Sequence, residues 1–323
     1  MNTYEGSLSW SRYREILADR FDIHFEREPV ETWTSIRGHE VHIDEWRPEG
    51  PKKGTLILVH GAGGNGRILA PFAAFAAELG WRVLAPDLPG YGLTKPANGF
   101  RWDYEEWPAI VADLADGCAG PVVLMGLSLG GMTAAFAAEA SRNVSGVVAT
   151  TLLDMGRPGI FIRAARWPWL GLATLIGFRL MPRSVDRLAM PLWLIAPMRK
   201  MTADPALRGY FSTDPLLGRL RVPSRFFRMI HARKATSIRL RCPLLLVHPG
   251  ADLWTPTVLS KPAYDRVEGD KRLRELPNGS HLPLEQPALR ELQEEVSAFL
   301  ASVPPVVVDL PPSDAAADKR NPC

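Results

Sequence analysis

Ser128 stands in a sequence context that suits nucleophilic catalysis. It is the central residue of Gly-Leu-Ser-Leu-Gly, residues 126–130, with a short apolar run before it and an alanine-rich run after it. A serine on a tight turn from a strand into a helix has its hydroxyl exposed and the first N–H groups of the helix beside it. This pattern predicts a nucleophile whose oxyanion is stabilised by those N–H groups. The alternative is a structural serine in a glycine-rich turn.

A serine hydroxyl needs a base within hydrogen-bond reach to attack a substrate near neutral pH. His281 lies in the turn-rich loop between the last predicted strand and the final helix, where such a base is expected. We therefore predict that His281 takes the proton. His24, His39 and His42 are predicted to lie on the surface, and His248 to be a hydrogen-bonded histidine of the core.

The base in turn needs a carboxylate that fixes its tautomer. Asp252 lies in the loop after the predicted strand 244–248, and Asp154 in the loop after the strand 144–150. We predict that Asp252 orients His281 and keep Asp154 as the alternative acid. Without a catalytic role, Asp252 would cap the following helix and Asp154 would be a turn residue.

Alternating strands and helices position these residues. The predicted buried strands cover residues 55–59, 82–85, 121–125, 144–150, 244–248 and 273–276. The predicted helices cover residues 7–22, 69–79, 103–116, 132–140 and 287–301. Residues 29–36 and 40–47 alternate in polarity, which predicts an antiparallel hairpin at a sheet edge. The fold class is therefore α/β, with a mostly parallel central sheet and helices on both of its faces.

Residues 154–236 interrupt this alternation. They contain thirteen arginines and two lysines against four aspartates and no glutamate, a net charge of +11, and six of the nine methionines. We predict a helical cap at 154–236, inserted into a core formed by residues 1–153 and 237–302. Residues 303–323 are rich in proline, aspartate and alanine and are predicted to be a disordered tail.

Composition limits the partners and the compartment. A net charge of +3 does not indicate a nucleic-acid-binding protein. The three scattered cysteines form neither a metal motif nor a disulfide framework. With no signal peptide and no apolar run of membrane-spanning length, we predict a cytoplasmic protein. The basic cap is interpreted as a solvated face; the alternative is that it contacts an anionic head group or, weakly, a membrane surface. The oligomeric state is left open.

The chain resembles the α/β-hydrolase superfamily over residues 29–301. The segments that carry this resemblance are residues 60–64, 87–92, 126–131, 250–252 and 279–281. The resemblance implies a catalytic triad of Ser128, Asp252 and His281, without a metal or an organic cofactor. It also implies an oxyanion hole formed by the backbone N–H groups of Ala62 and Leu129.

Two residues in or near the first glycine-rich loop are predicted to have supporting roles. Gly63 is the substitute for Ala62 in the oxyanion hole, and the resemblance implies that Asp87 shapes a loop and does not react. Residues 61–66 also match Gly-x-Gly-x-x-Gly, and Asp87 ends the next strand, as in a dinucleotide-binding site. We do not favour that interpretation, because such a site has no use for His60, for the serine turn or for the late histidine.

The predicted reaction is hydrolysis of a carboxylic ester through an acyl-enzyme. The aromatic and methionine-rich cap favours a small-molecule substrate with a hydrophobic acyl or aromatic group. The same three side chains also suit a lactone, an amide, a thioester, a carbon–carbon bond or cofactor-free perhydrolysis. A ligand receptor with negligible turnover is the alternative outside enzymes.

Overall fold

The architecture is an eight-stranded sheet flanked by helices, and the computed structural model describes residues 3–234 and 237–304. The strands are β1 Val30–Ile36, β2 His39–Trp46, β3 Gly54–Val59, β4 Trp81–Pro86, β5 Val122–Gly126, β6 Val144–Ala149, β7 Ala189–Pro191, β8 Arg221–Pro223, β9 Ile238–Arg239, β10 Leu244–His248, β11 Val267–Glu268 and β12 Lys271–Glu275. The α-helices are α1 Leu8–Phe21, α2 Ala70–Glu78, α3 Glu106–Asp116, α4 Leu129–Ala140, α5 Pro158–Ala164, α6 Pro168–Leu180, α7 Pro182–Asp186, α8 Leu192–Ile195, α9 Pro205–Thr213, α10 Ser224–Ala232, α11 Thr257–Tyr264 and α12 Ala288–Ser302.

The large sheet has the strand order β1-β2-β4-β3-β5-β6-β10-β12. The strands from β4 to β12 in this order run parallel to their neighbours, whereas β1 and β2 are antiparallel. All residues of β3 and β5 are buried because hydrophobic clusters cover both faces of the sheet. The predicted α/β fold class is confirmed, since apolar runs without alternation are typical of strands buried on both faces.

The N-terminal hairpin lies at the sheet edge, as predicted, but two of its histidines do not lie on the surface. His39 and His42 are 2% and 0% exposed. The rings of Tyr4 and Trp33 cover His42, with centroids 5.3 and 4.9 Å from the imidazole. The surface prediction was therefore wrong for both histidines, because the N-terminal segment and β1 cover His42, and the ring of Phe100 packs on His39 with centroids 5.4 Å apart.

The segment between β6 and β10 consists mainly of short helices. Six of them, α5 to α10, lie within its described part, residues 154–234. The antiparallel pairing of β7 with β8 in this segment was not predicted. Strands of three residues are too short to show a hydrophobic period, which explains the omission.

Helix α1 connects the core to this inserted segment. Its Tyr13 hydroxyl donates to the Ile68 carbonyl at 2.9 Å, and the Tyr13 ring stacks on Tyr210 of α9 at 5.1 Å. Arg20, near the end of α1, forms an ion pair with Asp204 at 2.8 Å. The helix therefore packs against both parts of the chain.

The last helix of the described chain is α12, whose bounds lie within one residue of the predicted helix at 287–301. Residues 305–323, most of the predicted tail, lie outside the described residues. Within the part that is described, the helices are all too short or too polar to cross a bilayer.

Candidate active site

Ser128 occupies a tight turn between β5 and α4. Its backbone has φ 56° and ψ −129°, the left-handed side of the map that side chains rarely occupy. A Cβ on Gly126 would lie 2.1 Å from the Gly130 carbonyl oxygen, and a Cβ on Gly130 would lie 2.1 Å from that of Val59. The two glycines are therefore required by close backbone approach, which presents the half-buried Ser128 side chain at the carboxyl edge of the sheet.

His281 lies between the other two predicted residues. Its Nε2 is 2.8 Å from Ser128 Oγ, and its Nδ1 is 2.7 Å from Asp252 Oδ2. The imidazole packs against the indole of Trp254, with ring centroids 4.6 Å apart. His281 follows β12 and Asp252 follows β10, so adjacent parallel strands bring both loops to the edge where β5 ends.

Asp252 is buried and held by backbone donors. Its Oδ1 accepts hydrogen bonds from the N–H groups of Trp254 at 2.8 Å and Thr255 at 2.9 Å. The Thr255 hydroxyl donates to Oδ2 at 2.8 Å. Burial alone would raise the pKa of Asp252, but His281 and these donors hold that pKa well below its ordinary value. The carboxylate is therefore charged when it faces the imidazole.

Thr255 and Trp254 are site residues that the sequence did not predict. Thr255 Oγ1 also lies 3.1 Å from His281 Nδ1, so the hydroxyl contacts both members of the pair. The signal was present, because an aspartate followed by residues that bond back to its carboxylate is typical of an Asx turn.

Asp154, the alternative acid, is engaged elsewhere. It is buried, and its Oδ2 accepts from Arg266, with Arg157 3.6 Å away. Asp252 is the carboxylate that the structure brings to His281. The pairing of Asp154 with Arg266 was not predicted, because Arg266 lies 112 residues later in the sequence, just before β11.

The predicted oxyanion donors lie beside Ser128. Leu129 is the first residue of α4. The backbone N–H of a first helical residue has no acceptor within its own helix. Ala62 follows β3, and both residues line the same pocket as Ser128. Gly63, the proposed substitute, has φ +83° and faces Leu192 and Met198 of the inserted segment.

The pocket above Ser128 is apolar, has a cavity volume of about 100 Å³ and is open to solvent at its mouth. Its lining residues are Ala62, Ser128, Leu129, Leu153, Met155, Phe161, Ala164, Ala165, Leu170, Gly171, Thr174, Met190, Leu192, Ile195, Ala196, Ser224, Phe227, Ile230 and Trp254. None of them is charged. The hydroxyls of Thr174 and Ser224 donate to the carbonyls of Leu170 and Leu188. Ser128 therefore offers the reactive polar group in an otherwise apolar space.

Ser128 also lines a second, smaller hollow. It has a cavity volume of about 20 Å³ and is lined by Gly61, Ala62, Gly64, Ile68, Leu69, Leu127, Ser128, Met201, His281 and Leu282. The imidazole of His281 faces this hollow, whereas the larger pocket extends under the inserted segment. The hydroxyl thus lies where two spaces of unequal size meet.

His60 and Asp87 fix the surrounding loops. The His60 Nδ1–H donates to the Gly61 carbonyl at 2.8 Å, and Nε2 accepts from the Leu88 N–H at 2.9 Å. Burial lowers the pKa of His60, so the imidazole is neutral. The Asp87 carboxylate accepts from the N–H of Gly66 at 2.7 Å and from the hydroxyl of Tyr4 at 2.9 Å. The polar atoms of both side chains are therefore engaged in hydrogen bonds that hold the loops.

A buried cluster of ionisable groups lies near the N-terminal hairpin. Glu31, His42 and Asp44 each offer an atom within 4.8 Å of the others, a spacing that would suit a metal ion. Arg67 already occupies this position, because its guanidinium pairs with Asp44 at 2.6 Å and with Glu31 at 3.1 Å. His42 Nδ1 lies 3.0 Å from Asp87. The positive charge that the carboxylates need is thus supplied by protein side chains.

Parts of the chain are similar in sequence to known hydrolases. Lipase LipV of Mycobacterium tuberculosis is 33% identical over 116 residues, 36% of this chain and 41% of that protein. A pimeloyl-[acyl-carrier protein] methyl ester esterase of a Shewanella species is 35% identical over 99 residues, 31% of this chain and 33% of that protein. The matches thus span less than half of either relative.

The likeness to solved structures extends over most of the chain. A soluble variant of the monoglyceride lipase of Saccharomyces cerevisiae superposes with a TM-score of 0.70 at 17% identity, covering 87% of this chain and 97% of that one. At that identity the likeness concerns the fold alone. The model of the alpha/beta hydrolase family matches residues 56–290, which include the serine turn and both loops that face it. The chain belongs to the alpha/beta hydrolase family.

Proposed function

We propose that the protein is a serine hydrolase that cleaves carboxylic esters of apolar acids. Ser128 attacks the ester carbonyl while His281 accepts the hydroxyl proton. Asp252 holds the imidazole and stabilises its protonated form. The N–H groups of Ala62 and Leu129 bind the oxyanion of the tetrahedral intermediate. His281 then protonates the leaving alcohol, and water attacks the acyl-enzyme with His281 as base.

One observation carries this proposal, the unbroken contact from Ser128 Oγ through His281 to Asp252. A hydroxyl within 2.8 Å of a histidine nitrogen suits proton transfer at the moment of attack. The low pKa of Asp252 keeps a negative charge next to the imidazole when it becomes positive. No step needs a metal or an organic cofactor.

The two hollows suggest how the substrate is oriented. The leaving oxygen must receive a proton from His281, so the alcohol is expected in the smaller hollow that this imidazole lines. The acyl chain then extends into the larger apolar pocket. We infer a preference for a neutral apolar acyl group, with the alcohol part of the ester on the side of His281.

We also propose that residues 154–236 act as a cap on a core formed by residues 1–153 and 237–302. Leu170, Gly171 and Thr174 of α6 line the larger pocket, as do Phe227 and Ile230 of α10. The acyl pocket therefore has the catalytic turn at its base and the inserted segment as its wall. Substrate size is set by that segment.

A panel of nitrophenyl esters with graded acyl lengths tests this function. We expect a maximum of kcat/KM at a medium or long acyl chain, and a loss of at least about 10³-fold in Ser128→Ala protein. Equal rates in the variant and the native protein would contradict the serine mechanism.

A fluorophosphonate probe separates an enzyme from a ligand receptor. The probe should label the native protein at Ser128 and leave the folded Ser128→Ala variant unlabelled, because only an activated hydroxyl attacks phosphorus at a useful rate. An intact, unlabelled Ser128 would favour the receptor alternative. Melting curves of both proteins serve as the control for folding.

A further inference from the structure

The outer face of α6 carries a row of exposed apolar side chains. Trp169, Leu172, Ile176 and Leu180 are 64%, 50%, 50% and 69% exposed. Their spacing of three and four residues places them on one side of the helix. We call this row the α6 stripe. The opposite side of α6 lines the larger pocket, so the helix is apolar toward both the pocket and the solvent.

Exposed apolar residues are concentrated around this stripe. Of the thirteen large hydrophobic residues that are exposed in the described part of the chain, eight lie within residues 167–193. Single exposed apolar residues are ordinary on a protein surface, but a contiguous group marks an interaction site. A contiguous group of this kind is therefore a candidate interaction surface.

Seven cations in the segment that carries the stripe have no ion-pair partner among the described residues. No ion pair within residues 3–234 and 237–304 involves Arg163, Arg166, Arg179, Arg183, Arg187, Arg199 or Lys200. We call these seven residues the basic rim. The acid nearest to them in sequence, Asp186, is bound by Arg228 at 2.6 Å and by Arg225. The rim thus presents a positive field that the protein itself does not neutralise.

A basic hollow joins the rim to the stripe. Arg166, Arg199, Lys200 and Arg219 line it together with two tryptophans, Trp167 and Trp193. The Arg166 guanidinium lies 4.4 Å from the Trp167 ring, and this ring stacks on Trp169 at 5.8 Å and 14°. Positive charge, aromatic rings and apolar stripe therefore form one continuous surface.

We propose that this surface docks on an anionic phospholipid bilayer. The α6 stripe enters the boundary between head groups and acyl chains, and the basic rim contacts lipid phosphates. The hollow beside Trp167 receives one phosphate. Docking places the wall of the larger pocket against the lipid, where apolar esters accumulate, so this inference extends the proposed function.

Charge favours a bilayer over a second copy of the chain. A symmetric dimer through the stripe would bring two basic rims together, and like charges at close range oppose association. An anionic membrane instead offers phosphates and an apolar interior in the same plane. Tryptophan, leucine and isoleucine beside arginine and lysine are typical of helices that lie in that plane.

Vesicle flotation tests the proposal with full-length Ser128→Ala protein, which binds lipid without cleaving it. We expect binding to phosphatidylcholine vesicles that contain phosphatidylglycerol, weaker binding to phosphatidylcholine alone, and a decrease as salt is raised. Leu172→Glu with Ile176→Glu should reduce partitioning by about tenfold or more. Arg199→Gln with Lys200→Gln should reduce it by about fivefold for each cation.

Matched controls lie elsewhere on the surface. Leu8→Glu adds a charge at a leucine that is 90% exposed on α1, and Arg290→Gln with Lys261→Gln removes two cations that are each 66% exposed. These variants should bind vesicles like the parent. All stripe and rim variants are also made with Ser128 intact and should cleave a soluble nitrophenyl ester at the native rate, so failure of docking is distinguished from failure of the proposed function.

Several results would overturn the proposal. Absence of binding to phosphatidylglycerol vesicles at low salt would do so, as would equal binding by the stripe variant and the Leu8→Glu control. A dimer in solution that Leu172→Glu dissociates, without any vesicle binding, would assign the stripe to a second copy of the chain.

Discussion

The Thr255 hydroxyl donates to the Asp252 oxygen that faces His281, at 2.8 Å. Thr255 lies beside the His281–Asp252 pair and does not line the pocket, so we expect it to act through Asp252 and His281. Thr255→Val should lower kcat about tenfold with little change in KM, because it removes one hydrogen bond to a buried carboxylate. Thr255→Ser should retain most of the native kcat. Steady-state kinetics on a nitrophenyl ester decides, and an unchanged kcat in the valine variant would contradict this role.

Substitution of the two candidate acids should give opposite phenotypes. Asp252→Asn is expected to reduce kcat by about 10³- to 10⁴-fold with a native melting temperature, because the amide favours the wrong imidazole tautomer. Asp154→Asn should leave kcat close to native and lower the free energy of unfolding by about 2 kcal/mol, since Arg266 loses a charged partner. The reverse pattern would move the acid role to Asp154.

The serine turn should not accept an added methyl group. Gly130→Ala places a Cβ 2.1 Å from the Val59 carbonyl oxygen, so we expect a loss of about 3 kcal/mol or more in the free energy of unfolding. Gly209→Ala in α9 is the control, because no atom lies within 4 Å of its added Cβ. That variant should gain about 0.5–1 kcal/mol. Urea unfolding measures both, and similar values for the two would refute the steric argument.

Stability should decline between neutral and alkaline pH through His42. Burial alone would lower the pKa of His42, but contacts with Asp87 and Glu31 raise it to about 9. The folded protein therefore holds a proton that the unfolded chain releases near pH 6.5. The stabilisation is complete below pH 6.5 and is lost as pH rises through 9, a total on the order of 3 kcal/mol.

The His42→Gln variant isolates this contribution. Its free energy of unfolding should change less than that of the native protein between pH 6.5 and 9, so the two curves converge at alkaline pH. Urea denaturation at a series of pH values measures the difference. Parallel curves would show that His42 is not protonated in the fold.

Filling the larger pocket should shorten the preferred substrate. Thr174→Phe adds a ring on the side of α6 that lines this pocket, and the hydrogen bond that it removes is a local one to Leu170. We expect the optimum of kcat/KM to move to shorter acyl chains, with acetate esters hardly affected. The ester panel measures this shift. An unchanged optimum would mean that the acyl group does not occupy the larger pocket.

The location of the candidate site was predictable because it depends on strand ends. Parallel strands place their following loops at one edge, so Ser128, Asp252 and His281 were expected to meet before their distances were known. The glycines around Ser128 were also informative, since their spacing reports close backbone approach. Each of these signals is local in the sequence.

Contacts between distant segments were not predictable in the same way. The pairing of Asp154 with Arg266 and the enclosure of His42 depend on how loops and the N-terminal segment pack. The three-residue strands β7 and β8 are also too short to show a hydrophobic period in the sequence. In each case the deciding neighbour is far away in sequence, and residue type alone does not identify it.

Helix α1 has a practical consequence for truncation. Its stacking on Tyr210 and its ion pair with Asp204 attach α9 of the inserted segment to the first helix. The Tyr13 hydroxyl attaches the same helix to the loop after β3. Deleting residues 1–22 would remove these contacts and expose the ring of Tyr210 that Tyr13 covers. The first helix is thus a brace that ties the inserted segment to the core.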